Sequence, residues 1–446
     1  MDRDRSLRLV TLGAEVVQRY IAPKQGDSLE PDVSINETQP PQYGPSPQPI
    51  ANSLDRAKPS RTSKTRQGKR IADETPSNVK HEEIDRTEAQ ELARLFRRAC
   101  QSHRIQIDEC DPARAARGPN VWRFYVRLRS GERLDKLRSA LEDISREMQR
   151  SGVLVAPLPN SNEIALDVPR MQRQIVPLAR GLDKLPTLPS IEQMPIAIGV
   201  TPEGADIIYD LSEMPHLLVG GTTGSGKTIF LYGLMAALLK THPDPETLRL
   251  FVSTSKPEDF TFFRELRHLE TGIVSNADEA VRYLQTRAQE ELEVRQRRLS
   301  EARCRDIIEY NRTHKPAMPP LVVLVDEFAD LADQLAHDRT SRETFYRAIR
   351  QIAQMGRNKG MHLVLCTQRP SADLVPTNIR TLMNFRVALH VNDVVASRMV
   401  LEEAGAEQLQ FQGDLLFKTT NTLMRAQGYF VETREIDRLI AALQQR

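Results

Sequence analysis

His216-Leu-Leu-Val-Gly-Gly-Thr-Thr-Gly-Ser-Gly-Lys-Thr228 joins a short apolar run to the helix-like Ile229-Phe-Leu-Tyr-Gly-Leu-Met-Ala-Ala-Leu-Leu239. Within it Gly221, Thr222, Thr223, Gly224, Ser225, Gly226, Lys227 and Thr228 satisfy G-x-x-x-x-G-K-[ST] in full. Glycines let successive backbone N–H groups turn inward around phosphate oxygens at a helix N-terminus, and a strand before and a helix after are the context the motif requires. The stretch therefore reads as a phosphate-binding loop for ATP. Lys227 is expected to reach the β- and γ-phosphates, and the Thr228 hydroxyl to ligate Mg²⁺.

Further apolar runs lie on either side: Leu248 to Val252, Leu321 to Val325, His362 to Cys366 and Phe385 to Val391, separated by helical segments. Continuous apolar runs alternating with helices are the pattern of a parallel sheet covered on both faces, so the fold class is α/β. Leu321-Val-Val-Leu-Val-Asp326-Glu327 ends in two carboxylates at the strand's carboxyl end, the edge where open α/β sheets bind ligands. Asp326 is expected to hold Mg²⁺ through its water shell, and Glu327 to orient and activate the attacking water. The second acid favours hydrolysis over passive binding. Gln368 follows the run His362 to Cys366 and is placed to hydrogen-bond the γ-phosphate or the lytic water. Charge left on the γ-phosphate is commonly neutralised by an arginine from a neighbouring subunit, for which Arg357, Arg369, Arg380 and Arg386 are all candidates.

The remainder of the chain bounds the setting. At 446 residues with 62 Lys plus Arg, 60 Asp plus Glu and a net charge of +2, it is too long for one ordinary domain, and charge alone does not decide for or against nucleic acid. Residues 1–21 read as a short amphipathic helix on Leu7, Val10, Ala14, Val17 and Ile21. Residues 22–80 are rich in Pro, Ser and charge and read as a disordered tether, whose segment 55–70 is a candidate phosphate-contacting arm or a plain solvated linker. Residues 81–190 fit a small α/β domain: a helix from Glu82 to Cys100, strands at Val121 to Leu128, Val153 to Val155 and Glu163 to Val168, and a helix on Leu134, Leu137, Leu141 and Ile144. Residues 191–446 form the motor domain, with one long polar helix expected from about Asp278 to Asn311. Cys100, Cys110, Cys304 and Cys366 have neither disulfide nor zinc spacing and read as buried thiols. With no signal-peptide core and no membrane-length apolar window, a cytoplasmic protein without membrane insertion is expected.

Taken together, Met214 to Thr228, Arg305-Asp-Ile-Ile-Glu-Tyr-Asn311, Val323-Leu-Val-Asp-Glu-Phe-Ala-Asp-Leu331 and Gly360-Met-His-Leu-Val-Leu-Cys-Thr-Gln-Arg-Pro-Ser371 resemble the FtsK/SpoIIIE family of hexameric double-stranded DNA translocases. Ser397-Arg398, Ala404-Gly-Ala-Glu407 and Gly413-Asp-Leu-Leu416 continue the resemblance in the family's order, and residues from about 83 to 190 resemble more loosely the α/β domain ahead of its motor. It implies a RecA-like ATPase that assembles as a homo-oligomeric ring, hexameric in the family's manner, around duplex DNA. It also implies that Arg357, in Gly356-Arg-Asn-Lys-Gly360, is the arginine lent across the subunit interface, and it makes Lys359 and Arg380 candidate contacts to DNA phosphates. Mobile-element transfer or DNA defence is the expected setting, with residues 1–80 recruiting a protein partner. The chain departs from the family at Thr254-Ser255-Lys256, where Asp-Pro-Lys is usual. About fifteen residues after Val431 leave no space for the orientation-reading winged helix, so septal chromosome pumping is not expected. Two other readings stand beside translocation: protein secretion, which family members also drive, and an adaptor that binds ATP only to hold an oligomer together.

Overall fold

The computed structural model describes residues 76–444 apart from Pro159, Leu188, Ala372, Asp373 and Asn421, with side chains from Arg86 onward. The expected helix over residues 1–21 and the basic segment 55–70 lie outside the described residues. Helix α1 (Pro76–Ser102) begins earlier than the sequence reading placed it, inside the stretch assigned to the tether.

The first sheet is wholly antiparallel. Strands β1 (Ile107–Cys110), β3 (Val121–Leu128), β5 (Glu163–Pro169) and β4 (Leu154–Pro157) lie in that order, with β2 (Ala116–Arg117) paired to β3. Alternation along β3 and β5 turns Trp122, Phe124, Val126, Ile164, Leu166 and Val168 to one face. Ala89, Leu92, Phe96 and Ala99 of α1, three or four residues apart, cover that face with Leu137 and Ile144 of α2 (Leu134–Glu147).

The second sheet has nine strands. A parallel block runs β9 (Arg249–Ser253), β10 (Leu321–Val325), β11 (Met361–Thr367), β8 (His216–Gly220), β12 (Phe385–Leu389). Beyond β12 it continues antiparallel through β13 (Asp414–Lys418), β14 (Leu423–Gln427), β6 (Pro195–Val200) and β7 (Asp206–Asp210). The sheet is thus mixed, a parallel core with an antiparallel wing. On β10, Val322 and Leu324 enter one core with α4 (Lys227–Thr241), while Leu321, Val323 and Val325 enter the other with α5 (Ala277–Gln285), α6 (Arg287–Ala302) and α9 (Arg339–Met355). Burial on both faces is why these strands read as unbroken apolar runs. The phosphate-loop strand β8 and the acidic strand β10 are separated by β11 alone.

The long helix expected from Asp278 to Asn311 is three helices: α5, α6 and α7 (Ile307–Thr313). The breaks have local causes. Thr286 returns its hydroxyl to the Arg282 carbonyl, Arg303 adopts φ 55°, and Asp306 caps α7 by accepting from Glu309 N. Of the four cysteines, Cys100, Cys110 and Cys366 are buried as expected, whereas Cys304 is partly exposed. No helix of the described residues is long and apolar enough to cross a membrane.

Candidate active site

Parallel register brings the carboxyl ends of β8, β11 and β10 side by side, with Gly220 opposite Thr367 and Leu365 opposite Val325. The phosphate loop, Gln368 and the acid pair Asp326 and Glu327 are therefore delivered to one edge by topology alone. Lys227 opens α4 and is only 4% exposed. Its Nζ donates to the Asp326 carbonyl and to Asp326 Oδ1, both at 2.7 Å, and stands 3.8 Å from Glu327 Oε2. The Gln368 backbone N–H donates to Glu327 Oε2 at 2.9 Å, and the Thr223 hydroxyl donates to Gln368 Oε1 at 2.8 Å. Thus Lys227, Asp326, Glu327, Gln368 and Thr223 are tied to one another by direct hydrogen bonds or ion pairs, whereas Thr228 is part-exposed on the first turn of α4 and Arg357 stands apart from them.

The electrostatics follow from burial. Withdrawal from water pushes the Glu327 carboxyl above its ordinary value, against the pull of the Lys227 ammonium and the Gln368 N–H. Burial also opposes the Lys227 ammonium, but Asp326 and Glu327 outweigh it and its affinity for the proton rises. Both acids are nearly fully buried beside one ammonium. Two carboxylates against one lysine leave room for further positive charge.

The loop is shaped for an anion. Gly224 and Gly226 have φ of 80° and 106°, and a side chain on Gly226 would begin 2.9 Å from Gly413 N. Ser225 is wholly buried and its Oγ has no hydrogen-bond partner. These features fit a triphosphate. Among the described residues no three His, Cys, Asp or Glu side chains gather into a self-sufficient metal site. Mg²⁺ in nucleotide sites is instead held by one or two protein oxygens plus phosphate oxygens, which the Thr228 hydroxyl and Asp326 carboxylate fit.

The four arginines separate clearly. Arg386 is buried, its guanidinium spent on the carbonyls of Met383, Val400 and Arg380 and on Glu402. Arg369 is held by Asp330 and Asp333 of its own chain, at 3.0 and 2.7 Å. Arg380 is half-buried, donating to Thr377 Oγ1 and lying against Met399 Sδ. Arg357 is exposed in the single turn Arg357–Lys359 before β11, at the amino ends of the parallel strands. It is therefore on the edge opposite its own phosphate loop. Lys359 is not presented as a DNA contact would be: it is 7% exposed and its Nζ donates to the Met355 carbonyl.

Sequence reasoning missed Thr254. Buried at 1% exposure just past β9, its hydroxyl donates to Asp326 Oδ2 at 2.9 Å. Where the family usually has a carboxylate, this chain has a hydrogen-bond donor to Asp326. The departure from Asp-Pro-Lys was the available signal.

Residues 178–372 match the FtsK/SpoIIIE family, and residues 73–170 match the FtsK alpha domain. The chain is 33% identical over 344 residues to a DNA translocase FtsK of Corynebacterium efficiens, covering 73% of this chain and 36% of that protein. To the DNA translocase SftA of Bacillus subtilis it is 31% identical over 332 residues, covering 73% and 34%. The chain thus spans about a third of the length of the relatives it matches. Among solved structures, the pCW3 conjugation coupling protein TcpA with ATPγS shares the fold at TM-score 0.53 and 19% identity, over 79% of this chain and 99% of that one. The cytoplasmic domain of the Thermomonospora curvata type VII secretion ATPase EccC superposes at TM-score 0.50 and 26% identity, over 60% and 32%. On the evidence of both its domains and of relatives aligned across nearly three quarters of its length, the chain belongs to the FtsK/SpoIIIE family.

Proposed function

We propose that the chain is an ATP-hydrolysing double-stranded DNA translocase that works as a homo-oligomeric ring. The observation that carries this reading is the convergence of Lys227, Asp326, Glu327 and Gln368 at one sheet edge, in a chain whose relatives are named DNA translocases. Backbone N–H groups of Gly221 to Thr228 bind the phosphates, and Lys227 moves from the acid pair to the β- and γ-phosphate oxygens. Thr228 and Asp326 hold Mg²⁺, which when bound screens phosphate charge and polarises the γ-phosphoryl group. Glu327, oriented by Gln368 N, takes a proton from the attacking water, while Gln368 Oε1, tied to Thr223, links the γ-phosphate position to the loop. Arg357 lies on the edge a neighbouring protomer would present to this site and supplies the remaining positive charge in trans.

Hydrolysis measured with and without long linear duplex DNA across a salt series tests the reading. Turnover should be stimulated by DNA, and the stimulation should fade as salt rises, because phosphate contacts release counterions. The likeness to a secretion ATPase supports a second reading, protein export. An exporter would hydrolyse ATP at the same rate with and without DNA. An adaptor that uses ATP only to hold an oligomer would show no turnover with either cargo, and Glu327→Gln would change nothing in it.

A further inference from the structure

The cluster of Lys227, Asp326, Glu327 and Gln368 fixes which way a nucleoside triphosphate points. These groups lie on the β11 and β10 side of β8, so the terminal phosphate is directed there. The ribose and base must leave the phosphate loop on its other side, toward β12 and the segment after it. That segment is stapled to the loop. Thr222 N and Oγ1 both donate to the His390 carbonyl, at 2.9 and 3.1 Å, and Gly413 N donates to the Ser225 carbonyl at 2.8 Å.

Two rings stand between these staples. Phe411 and His390 have centroids 4.2 Å apart and planes inclined at 41°. Phe411 Cδ1 lies 3.9 Å from where a side chain on Gly224 would begin, yet Phe411 is 47% exposed. A half-exposed aromatic ring at the rim of a phosphate loop contributes little to the core and offers a face for stacking. The backbone that carries the ring is also held: Arg173 Nη1 donates to the Phe411 carbonyl at 2.7 Å, and Gln427 Nε2 to the Gln412 carbonyl at 3.0 Å. His390 Nδ1 lies 2.7 Å from the Leu409 carbonyl and must be the donor there, which in the neutral ring leaves Nε2 as an acceptor.

We propose that Phe411, backed by His390, is the stacking platform for the nucleobase, so that this chain reads its nucleotide by the base as well as by the phosphates. The inference rests on the reading of the loop as a triphosphate site, and it favours purines, whose larger π-face stacks more strongly. The test is calorimetric binding of ATP and, separately, of inorganic tripolyphosphate to the full chain, comparing wild type with Phe411→Ala and Phe411→Trp. Phe411→Ala should weaken ATP about ten-fold, the usual loss for a stacked base, and leave tripolyphosphate unchanged. Phe411→Trp should keep ATP affinity, and its fluorescence should respond to ATP but not to tripolyphosphate; the one native tryptophan, Trp122, lies in the core of the small sheet. Unchanged ATP affinity in Phe411→Ala, an equal loss for both ligands, or a silent Phe411→Trp would overturn the inference while sparing the site. Wild type that binds neither ligand would overturn the site reading and this inference with it.

Discussion

Glu327 carries opposing demands. In the proposed role of base it must be ionised, yet burial raises its carboxyl above the ordinary range. Turnover should therefore climb with pH along an acid limb displaced upward from that of a free carboxylate. Glu327→Gln should remove that limb together with at least about 100-fold of the rate, leaving ATP binding intact in a calorimetric titration. A carboxyl raised on folding gives most stability below its unfolded value and loses it as pH rises through the folded value. At neutral pH and above, Glu327→Gln should consequently melt later than wild type while hydrolysing less, a combination a merely structural glutamate would not give. Thr254 offers a second residue-scale test. Thr254→Val keeps the shape but removes the donor to Asp326 Oδ2. Loss of a hydrogen bond to a charged group costs about 1.5–3 kcal/mol, and the expected kinetic trace is a higher Mg²⁺ concentration for half-maximal turnover. An unchanged Mg²⁺ dependence would leave Thr254 as packing only.

At the scale of elements, Asp414 at the head of β13 and Arg425 of β14 form a buried pair, Nη2 to Oδ2 at 2.6 Å and Nε to Oδ1 at 3.0 Å. Asp414 also accepts from Asn120 Nδ2 at 2.7 Å, and Arg425 donates to the Gly152 carbonyl at 3.2 Å, so the pair joins the small sheet to the antiparallel wing. Asp414→Ala would strand a buried guanidinium, and denaturant unfolding should show a loss of about 3–5 kcal/mol. A loss under about 1 kcal/mol would mean that Arg425 finds water or another partner. The same pair explains where sequence reading stopped. Strands β8, β10, β11 and β12 are buried on both faces and declare themselves as apolar runs. The wing does not, because Asp414, Arg425 and Gln427 are buried by pairing and read as surface residues. Likewise Arg295, fully buried between Leu292 and Leu299, completes an apparently apolar stripe by donating to the carbonyls of Lys359 and Pro319. Hydrophobic pattern locates faces. It is blind to buried charges that ion pairs and backbone carbonyls satisfy. The phosphate loop and acid pair were legible for a different reason: backbone N–H groups and carboxylates have few sequence substitutes, so their chemistry leaves a fixed spacing.

For the whole molecule, one edge of the parallel block holds Lys227, Asp326, Glu327 and Gln368, and the opposite edge holds Arg357. No single chain brings the two together, whereas a ring of head-to-tail protomers sets one edge against the next. The gap between Arg357 and its own phosphate loop is thus what a shared site requires. Arg386 is buried and held by its own chain's carbonyls, and Arg369 is paired with Asp330 and Asp333, which leaves Arg357 as the more open candidate. The most direct measurement is ATP turnover, with long duplex DNA present, of Arg357→Ala and Lys227→Ala proteins alone and mixed in equal amounts. Each variant alone should be nearly inactive, since a trans arginine contributes about 10³-fold or more. The mixture should recover activity, because roughly a quarter of randomly formed interfaces would pair an intact phosphate loop with an intact Arg357. A mixture as inactive as its components, or an Arg357→Ala protein as fast as wild type, would contradict a site completed by the neighbouring subunit.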